Sequence, residues 1–347
     1  MLRSSRIAHM GEGNSVTRPS VTVVIPCYNY ARYLSDAVGS VTSQEGVDLN
    51  VVIVDDASTD NSVEVAESIV ARDPRVRLVR HESNRGHVET SNEALSLATG
   101  EYVVKLDADD LLTPGSIARS TALMERCPDM VLCYGFPLRF QGDPPTEYAM
   151  KARSWTIWPG SEWIERVLRG GHNVIMQPEV LLRRDAVQAT DGYRPQLRWA
   201  EDYNLWLRLA TIGSVGRING ATQGLYRVHN KSFQRSVDDI ELTDLRARIA
   251  AVDLFLQECA TALANPVHTR GIALSALARE ARLQAATLMA EGSSERARVY
   301  DEIAKELDSR SGVPPVHSLS ANRTILGKVY RDILGRFRWR RWRRYGI

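Results

Sequence analysis

The chain has 347 residues, of which 44% are hydrophobic and 25% are charged, and this balance excludes wholesale disorder. The first 18 residues are polar, and no later segment holds 18 consecutive apolar residues, so we expect neither a secretory signal nor a membrane-spanning helix. The four cysteines form no CxxC pair, which indicates reduced, buried thiols, and we therefore expect a cytoplasmic protein.

Short β-branched runs alternate with helical patterns in the first third of the chain. The runs predict four strands, at residues 21–25, 51–54, 76–79 and 102–106. Strands that alternate with helices and are apolar throughout are typical of a parallel sheet covered on both faces. We therefore predict an α/β fold with a mostly parallel central sheet flanked by helices. In such sheets, ligands bind beyond the carboxyl ends of the strands.

The helical pattern becomes dominant later in the chain. A helix is predicted from Thr113 to about Met124, and residues 141–160 are predicted as loops. Three long amphipathic helices are predicted after residue 237, at about 238–264, 267–291 and 293–308. We therefore predict four parts: a flexible N-terminal tail (1–18), an α/β domain (19–237), a helical domain (238–322) and a basic C-terminal helix (323–347).

Three carboxylates, Asp107, Asp109 and Asp110, directly follow the fourth predicted strand. Like charges this close need neutralisation, and a hard cation such as Mg²⁺ or Mn²⁺ binds both carboxylate and phosphate oxygens. The same residues could instead cap a helix before Leu111, or form the nucleophile strand of a haloacid dehalogenase-type phosphatase. That phosphatase motif has threonine where this chain has Leu111, and it lies near the start of its domain, so we disfavour it.

Several motifs occur in a fixed order along the chain. They are the segments 23–29 (VVIPCYN), 54–60 (VDDASTD), 84–86 (NRG), 100–110 (GEYVVKLDADD), 191–193 (DGY) and 201–209 (EDYNLWLRL). Together, over about residues 20–235, they resemble the family 2 glycosyltransferases. The resemblance implies an inverting enzyme of the GT-A fold type, with a nucleotide-binding half at about 19–115 and an acceptor half at about 116–237.

The resemblance also implies which residues bind the nucleotide sugar. These are Pro26, Tyr28, Asn29, Asp56, Arg85, Asp107, Ala108 and Asp109. The ring of Tyr28 would stack on the base. Asp56 would accept the imide N–H of uracil, which favours a UDP-sugar, although an aspartate there can also accept from a guanine or thymine edge. Arg85 would pair with the diphosphate. Asp55, in contrast, is expected to cap a turn.

A divalent metal, Mg²⁺ or Mn²⁺, and a general base also follow from the resemblance. Asp109 would bind the metal directly, and Asp107 would contact the ribose or reach the metal through water. His229 is a further candidate for the metal or the diphosphate. Asp202 is the predicted general base, with Glu201 as its substitute. Because Asp202 lies in a first helical turn, we expect the helix dipole to favour its ionised form.

The expected reaction is transfer of a hexose or N-acetylhexosamine to a glycan, lipid-linked or small-molecule acceptor in polysaccharide or glycoconjugate synthesis. Processive relatives add spanning helices and a QxxRW signature, which this chain lacks, so we expect transfer of one or a few sugars. Two alternatives stay open. One is a degenerate, non-catalytic membrane-associated scaffold; the other is a sugar nucleotidyltransferase, which should carry a glycine-rich loop where this chain has residues 24–29.

The last 25 residues, 323–347, contain nine lysines or arginines and one aspartate, which leaves the rest of the chain with a net charge of −6. Apolar residues fall on one helical face and arginines on the others, so we predict a basic amphipathic helix. Such a helix suits the anionic inner face of the plasma membrane, or it docks on this protein or on a partner. No nucleic-acid-binding fold accompanies it. The three helices before it are candidates for acceptor binding or homodimerisation.

Overall fold

A computed structural model describes residues 18–229 and 239–313 of the chain. Its first part is a parallel βα array with the strand order β3-β2-β1-β4. The strands are β1 (Ser20–Cys27), β2 (Asp48–Asp55), β3 (Val76–Arg80) and β4 (Tyr102–Lys105), and the helices between them are α1 (Ala31–Thr42), α2 (Ser62–Val70) and α3 (His87–Ser96). The predicted α/β fold with a mostly parallel sheet in this half is therefore confirmed.

The apolar character of β1 follows from its central place in the sheet. Val23 pairs with Val51 of β2 on one side and with Val104 of β4 on the other, and it is fully buried. Helix α1 covers the sheet with an apolar stripe formed by Leu34, Ala37, Val38 and Val41, all of them buried. Because helices cover both faces, alternation of polar and apolar residues is lost in these strands.

The second part extends the same sheet. It contains β5 (Leu111–Leu112), α4 (Ser116–Met124), β6 (Met130–Phe140), β7 (Ser154–Trp158), α5 (Gly160–Gly170), β8 (Leu181–Arg183), α6 (Arg184–Ala189), α7 (Glu201–Leu209) and β9 (Ser214–Arg227). Beyond β4 the order is β8-β6-β9-β5, and β7 also pairs with β9. Strand β8 runs antiparallel to β4 and β6, whereas β6 and β9 are parallel. The described residues thus form a mixed sheet of nine strands.

Two local predictions are corrected here. Helix α4 begins at Ser116 rather than Thr113, because Gly115 adopts a left-handed conformation with φ +70° just before it. Residues 141–160, predicted as loops, contain strand β7. Its Trp155 and Trp158 are 3% and 2% exposed, and pairing with β9 compensates for the turn-forming prolines and glycines around it.

The described residues divide into two compact units, the first with residues 18–160 and 175–229 and the second with residues 161–174 and 239–313. The second unit contains the long helices α8 (Ile240–Glu258), α9 (Pro266–Ala290) and α10 (Ser294–Ser311), which confirms the predicted helical C-terminal extension. Within it, the buried guanidinium of Arg248 donates to both carboxylate oxygens of Glu280, at 2.9 and 2.7 Å. Residues 161–174 belong to this unit although they lie inside the predicted α/β domain.

None of the helices in residues 18–229 and 239–313 combines the length and the apolar character that crossing a bilayer requires. The four cysteines are all free thiols. Burial raises the pKa of Cys27 and Cys133 to about 12, so both behave as small buried hydrophobes.

Candidate active site

The loop that follows β1 is tied to the loop that follows β2. The side-chain oxygen of Asn29 accepts from the backbone N–H groups of Thr59 and Asp60, at 2.7 and 3.2 Å. Asn29 itself has φ +60°, and its backbone N–H donates to Ser58 Oγ at 2.9 Å. Asp55 accepts from the Ser58 N–H at 3.0 Å, which is the turn-capping role predicted for it. The Asn29 side chain therefore braces these loops, and its contact with a nucleotide stays a prediction.

Asp56 holds the Asn84–Gly86 segment in place. Its Oδ1 accepts from the Arg85 backbone N–H at 2.7 Å, and its Oδ2 accepts from the Gly86 N–H at 2.9 Å. Burial alone would raise the pKa of Asp56, but these N–H groups and the neighbouring His81 ring outweigh it, so the pKa lies below its ordinary value. Asp56 is therefore an ionised acceptor at neutral pH, positioned beneath the Arg85 loop.

The remaining predicted nucleotide residues differ in exposure. Tyr28 follows β1 and is 43% exposed, which argues against a core aromatic and leaves its ring free to stack. Pro26 lies in β1, opposite Val54 of β2. Ala108 is 1% exposed and belongs to the hydrophobic core, so a donor would meet its backbone only. The side chain of Arg85 is half exposed and pairs with Glu93 at 2.7 Å.

The three carboxylates after β4 have three different partners. Asp107 Oδ1 lies 2.5 Å from Lys105 Nζ, and Asp109 Oδ2 lies 2.9 Å from His229 Nε2. Asp110 Oδ1 accepts from the backbone N–H of Arg227 at 2.8 Å. Asp107 and Asp109 thus contact different groups of the protein, and the ligands assigned to them stay predictions.

These contacts also set the pKa of each carboxyl. Burial would raise the pKa of Asp107, but the charge of Lys105 lowers it below its ordinary value. The pKa of Asp109 is raised by burial and by the neighbouring Asp107, and the contact with His229 offsets only part of this rise. Burial and the charges of Asp109 and Asp107 raise the pKa of Asp110 well above its ordinary value. The protein therefore compensates the negative charge of Asp107, whereas the charges of Asp109 and Asp110 are only partly compensated.

Arg227 fixes the backbone that carries Asp109. Its Nε donates to the Asp109 carbonyl at 2.9 Å, and its Nη1 donates to the Gly142 carbonyl at 2.8 Å. The guanidinium lies over the rings of Tyr33 and Phe140, 4.5 and 4.6 Å from their centroids. This cation–π sandwich holds the end of β9 against the acidic loop.

The protein alone would not fill the coordination sphere of a divalent metal at Asp109, and a bound donor would have to supply further ligand atoms. No cluster of three or more His, Cys, Asp or Glu side chains suited to a metal is found in the described part of the chain. Asp109 and His229 supply one oxygen and one nitrogen, and the charge of a cation bound there would lower the raised pKa of Asp109. This donor set fits Mg²⁺ or Mn²⁺ completed by phosphate oxygens and water.

Glu201 and Asp202 lie in the first turn of helix α7. The pKa of Asp202 is raised to about 7, first by burial and then by the charge of Glu201, and the Tyr203 N–H bonded to its Oδ1 offsets only part of the rise. The expectation that the helix start favours the ionised form is therefore wrong, because burial and the adjacent carboxylate outweigh the dipole. Glu201 Oε1 lies 3.3 Å from His87 Nε2.

The family model described as "Glycosyl transferase family 2" matches residues 22–190, which include the loops after β1, β2 and β4. Residues 22–190 belong to this family. The matched segment ends before Glu201 and Asp202, so their assignment depends on the motif in α7 and its place in the fold.

Known relatives and solved structures agree with the family. The chondroitin synthase of Pasteurella multocida (strain Pm70) is 31% identical over 201 residues, which are 58% of this chain and 20% of that protein. The putative glycosyltransferase EpsE of Bacillus subtilis (strain 168) is 28% identical over 232 residues, 64% of this chain and 79% of that protein. The chain therefore spans about a fifth of the length of the synthase it matches.

A solved structure has the same fold. The structure of S. aureus TarS 1–349 in complex with UDP-GlcNAc matches with a TM-score of 0.58 and 17% identity, covering 84% of this chain and 90% of that one. The predicted GT-A fold is therefore confirmed.

Sequence reasoning missed several residues that organise the candidate site. Lys105 is 3% exposed and pairs with Asp107, and its charge also lies near Glu201 and Asp202. In the sequence it looks like a polar interruption of strand β4. A buried lysine two residues before an acidic triplet is a usable signal, because a buried ammonium needs a carboxylate partner.

Arg208 was also missed, although it lies in the predicted EDYNLWLRL motif. It is 2% exposed, and its guanidinium donates to Asn204 Oδ1 at 2.7 Å and to the carbonyls of Thr190 and Gly192. Asn92 holds the same loop from α3, since it exchanges two hydrogen bonds with the backbone of Tyr193, at 2.7 and 2.8 Å. The DGY motif is thus clamped between α7 and α3.

Proposed function

We propose that this chain transfers a sugar from a nucleotide diphosphate donor, with UDP favoured, to a hydroxyl of a glycan, lipid-linked or small-molecule acceptor. The proposal includes metal dependence, inversion at the anomeric carbon, and a hexose or N-acetylhexosamine as the transferred group. The observation that carries it is the shared sheet edge, where the Asp56 loop, the Asp109–His229 pair and the carboxylate of Asp202 follow the strand ends or open α7. Each of these groups suits a different part of the reaction.

The nucleotide would be held by the loops after β1 and β2. Tyr28 offers an exposed ring for stacking on the base, and Asp56 is an ionised acceptor suited to the imide N–H of uracil. Arg85, carried by the loop that Asp56 fixes, offers a guanidinium to the diphosphate. The TarS complex with UDP-GlcNAc, which has the same fold, adds support for a UDP-sugar.

The diphosphate and its metal would be held by Asp109 and His229. When bound, the metal would act as a Lewis acid that stabilises the leaving diphosphate. Asp107 is already paired with Lys105, so we assign it to the ribose or to an outer-sphere contact. Arg227 keeps the backbone of Asp109 fixed, and this limits the reorganisation that donor binding requires.

Asp202 would accept the proton of the acceptor hydroxyl as that oxygen attacks the anomeric carbon. A pKa of about 7 suits this task, because the group is a stronger base than an ordinary carboxylate and is still substantially ionised at neutral pH. Attack by the acceptor opposite the leaving group needs a single displacement and inverts the configuration. Glu201 raises the basicity of Asp202 through its charge and stays the substitute candidate.

A donor panel tests the proposal. We expect Mn²⁺-dependent release of nucleoside diphosphate from UDP-sugars, above the rates with GDP- and dTDP-sugars, in a coupled assay for the released diphosphate. Reactions with EDTA serve as the control for metal dependence. Pyrophosphate release from a nucleoside triphosphate and a sugar 1-phosphate would favour the nucleotidyltransferase instead. Absence of turnover and of binding with every donor would support the non-catalytic scaffold.

The basic segment 323–347 lies outside the described residues, and we propose that it brings the enzyme to an anionic membrane surface near a lipid-linked acceptor. We expect the full chain to sediment with phosphatidylglycerol vesicles at low salt and the chain truncated after residue 322 to stay in the supernatant. Neutral phosphatidylcholine vesicles are the control. Equal sedimentation of both chains would contradict a membrane role for this segment.

A further inference from the structure

His81 links the two residues that we assign to the nucleotide. It directly follows β3, and its side chain is 1% exposed. Its Nδ1 lies 2.8 Å from Asp56 Oδ1, and its Nε2 lies 3.0 Å from Glu93 Oε2. The same Glu93 oxygen accepts from Arg85 Nη1 at 2.7 Å. A continuous chain of contacts therefore runs from Asp56 through His81 and Glu93 to Arg85.

The contacts in this chain are of the charge-assisted kind. Asp56 is ionised, and an ionised carboxylate only accepts hydrogen bonds, so Nδ1 of His81 donates to it. Nε2 of the same ring faces the Glu93 oxygen that accepts from Arg85. Since the His81 ring is buried, neither contact can be replaced by water without rearrangement.

The Arg85 loop is thereby held at two points. Asp56 binds its backbone, at the N–H groups of Arg85 and Gly86, and Glu93 binds the guanidinium of Arg85. The side chain of His81 lies between the two holding carboxylates and contacts both of them. When a binding group is already fixed before the ligand arrives, less conformational entropy is lost on binding.

We propose that His81 is a positioning residue for the nucleotide donor: it fixes the carboxylate of Asp56 and, through Glu93, the guanidinium of Arg85. This inference rests on the proposed function, because it takes Asp56 and Arg85 as donor contacts. His81 itself touches no reacting atom, and it acts on donor affinity rather than on the transfer step.

Two conservative variants separate the two contacts of His81. In His81→Asn the side-chain amide can still donate to Asp56 but is too short for Glu93, whereas in His81→Gln it can reach Glu93 at the expense of Asp56. A binding group that is no longer held in place must be ordered when the ligand binds, and this cost corresponds to about tenfold in affinity, so we expect each variant to bind UDP about tenfold more weakly. We expect KM for the donor to rise by a similar factor with kcat unchanged.

Calorimetric titration of UDP with Mn²⁺, steady-state rates and thermal melting are the measurements. Glu89→Gln is the matched control, because Glu89 is an exposed glutamate in the first turn of the same helix as Glu93. We expect it to bind UDP like the wild type. Glu93→Gln removes the charge between His81 and Arg85 at a side chain that is 32% exposed, and we expect weaker UDP binding at an unchanged melting temperature.

The outcomes distinguish this inference from the proposed function. If the wild type binds no UDP, GDP or dTDP, the proposed function fails. If the wild type binds UDP and the folded His81 variants bind it equally well, the positioning role is overturned and the proposed function stands. Should the His81 variants fail to fold, unchanged UDP affinity in Glu93→Gln overturns the positioning role by itself.

Discussion

We expect the Asp202→Asn variant to transfer sugar on the order of 10² to 10⁴ times more slowly than the wild type, because it cannot accept the acceptor proton. Asparagine has nearly the same shape and can still accept from the Tyr203 N–H, so helix α7 should begin as before. The donor contacts that we propose lie elsewhere on the sheet edge, so the dissociation constant of the donor should be unchanged. Single-turnover rates and calorimetric donor titration measure the two quantities separately.

The pH dependence supplies a second readout for Asp202. A base must be ionised to act, and its pKa is raised to about 7, so the wild-type rate should rise with pH through about 7 and level off above it. The group is protonated at lower pH, and activity is lost there. This acidic limb should be absent from the residual rate of Asp202→Asn.

Glu201→Gln is the matched control for Asp202→Asn. The charge of Glu201 is one cause of the raised Asp202 pKa, so its removal should shift the acidic limb of the wild-type profile to lower pH. The rate on the plateau should change little by comparison. If Glu201→Gln loses the transfer rate and Asp202→Asn keeps it, the base is Glu201.

We expect the Asp109→Asn variant to lose the effect of Mn²⁺ on donor binding. Asp109 and His229 are the protein groups that would hold the metal, and a neutral amide is a poor ligand for a hard cation. A metal held there would supply several kcal/mol of charge stabilisation to the leaving group, so we expect transfer to fall by at least about 100-fold in the variant. The measurement is calorimetric titration of UDP with and without Mn²⁺, followed by the rate of transfer.

Asp107→Asn is the comparison for Asp109→Asn. Asp107 is paired with Lys105, and we assign it to the ribose or to an outer-sphere contact. The Asp107→Asn variant should therefore bind UDP more weakly both with and without Mn²⁺, while it keeps the gain in affinity that Mn²⁺ gives. If the Mn²⁺-dependent gain in UDP affinity persists in Asp109→Asn and disappears in Asp107→Asn, Asp107 is the metal ligand and Asp109 is not.

Part of the site was predictable because it depends on local sequence. The strand ends at Cys27, Asp55 and Lys105 follow apolar runs, and parallel strands bring their carboxyl ends to one edge. Polar residues directly after those runs, such as Asp56 and Asp109, are therefore placed near a ligand by the fold class alone. The order of the motifs then identified the family, which the match over residues 22–190 confirms.

The contacts of these residues could not be predicted, because they join segments that are far apart in the chain. His229 contacts Asp109 although the two residues are 120 positions apart in the chain, and Arg227 contacts the same loop from the end of β9. Strand β9 itself is interrupted by glycines, and its pairing with β6, β5 and β7 decides where it ends. No local pattern specifies such a pairing.

The sequence by itself therefore determined the α/β sheet, the family and the candidate residues, because strand period, helix period and motif order are properties of neighbouring residues. Only the tertiary structure decided the contact partners and the ionisation of these residues. It placed Lys105 on Asp107, placed His81 between Asp56 and Glu93, and raised the pKa of Asp202 where the helix dipole had suggested an ionised group. Burial and charge at each atom depend on every element packed around it, and they exist only once the chain has folded.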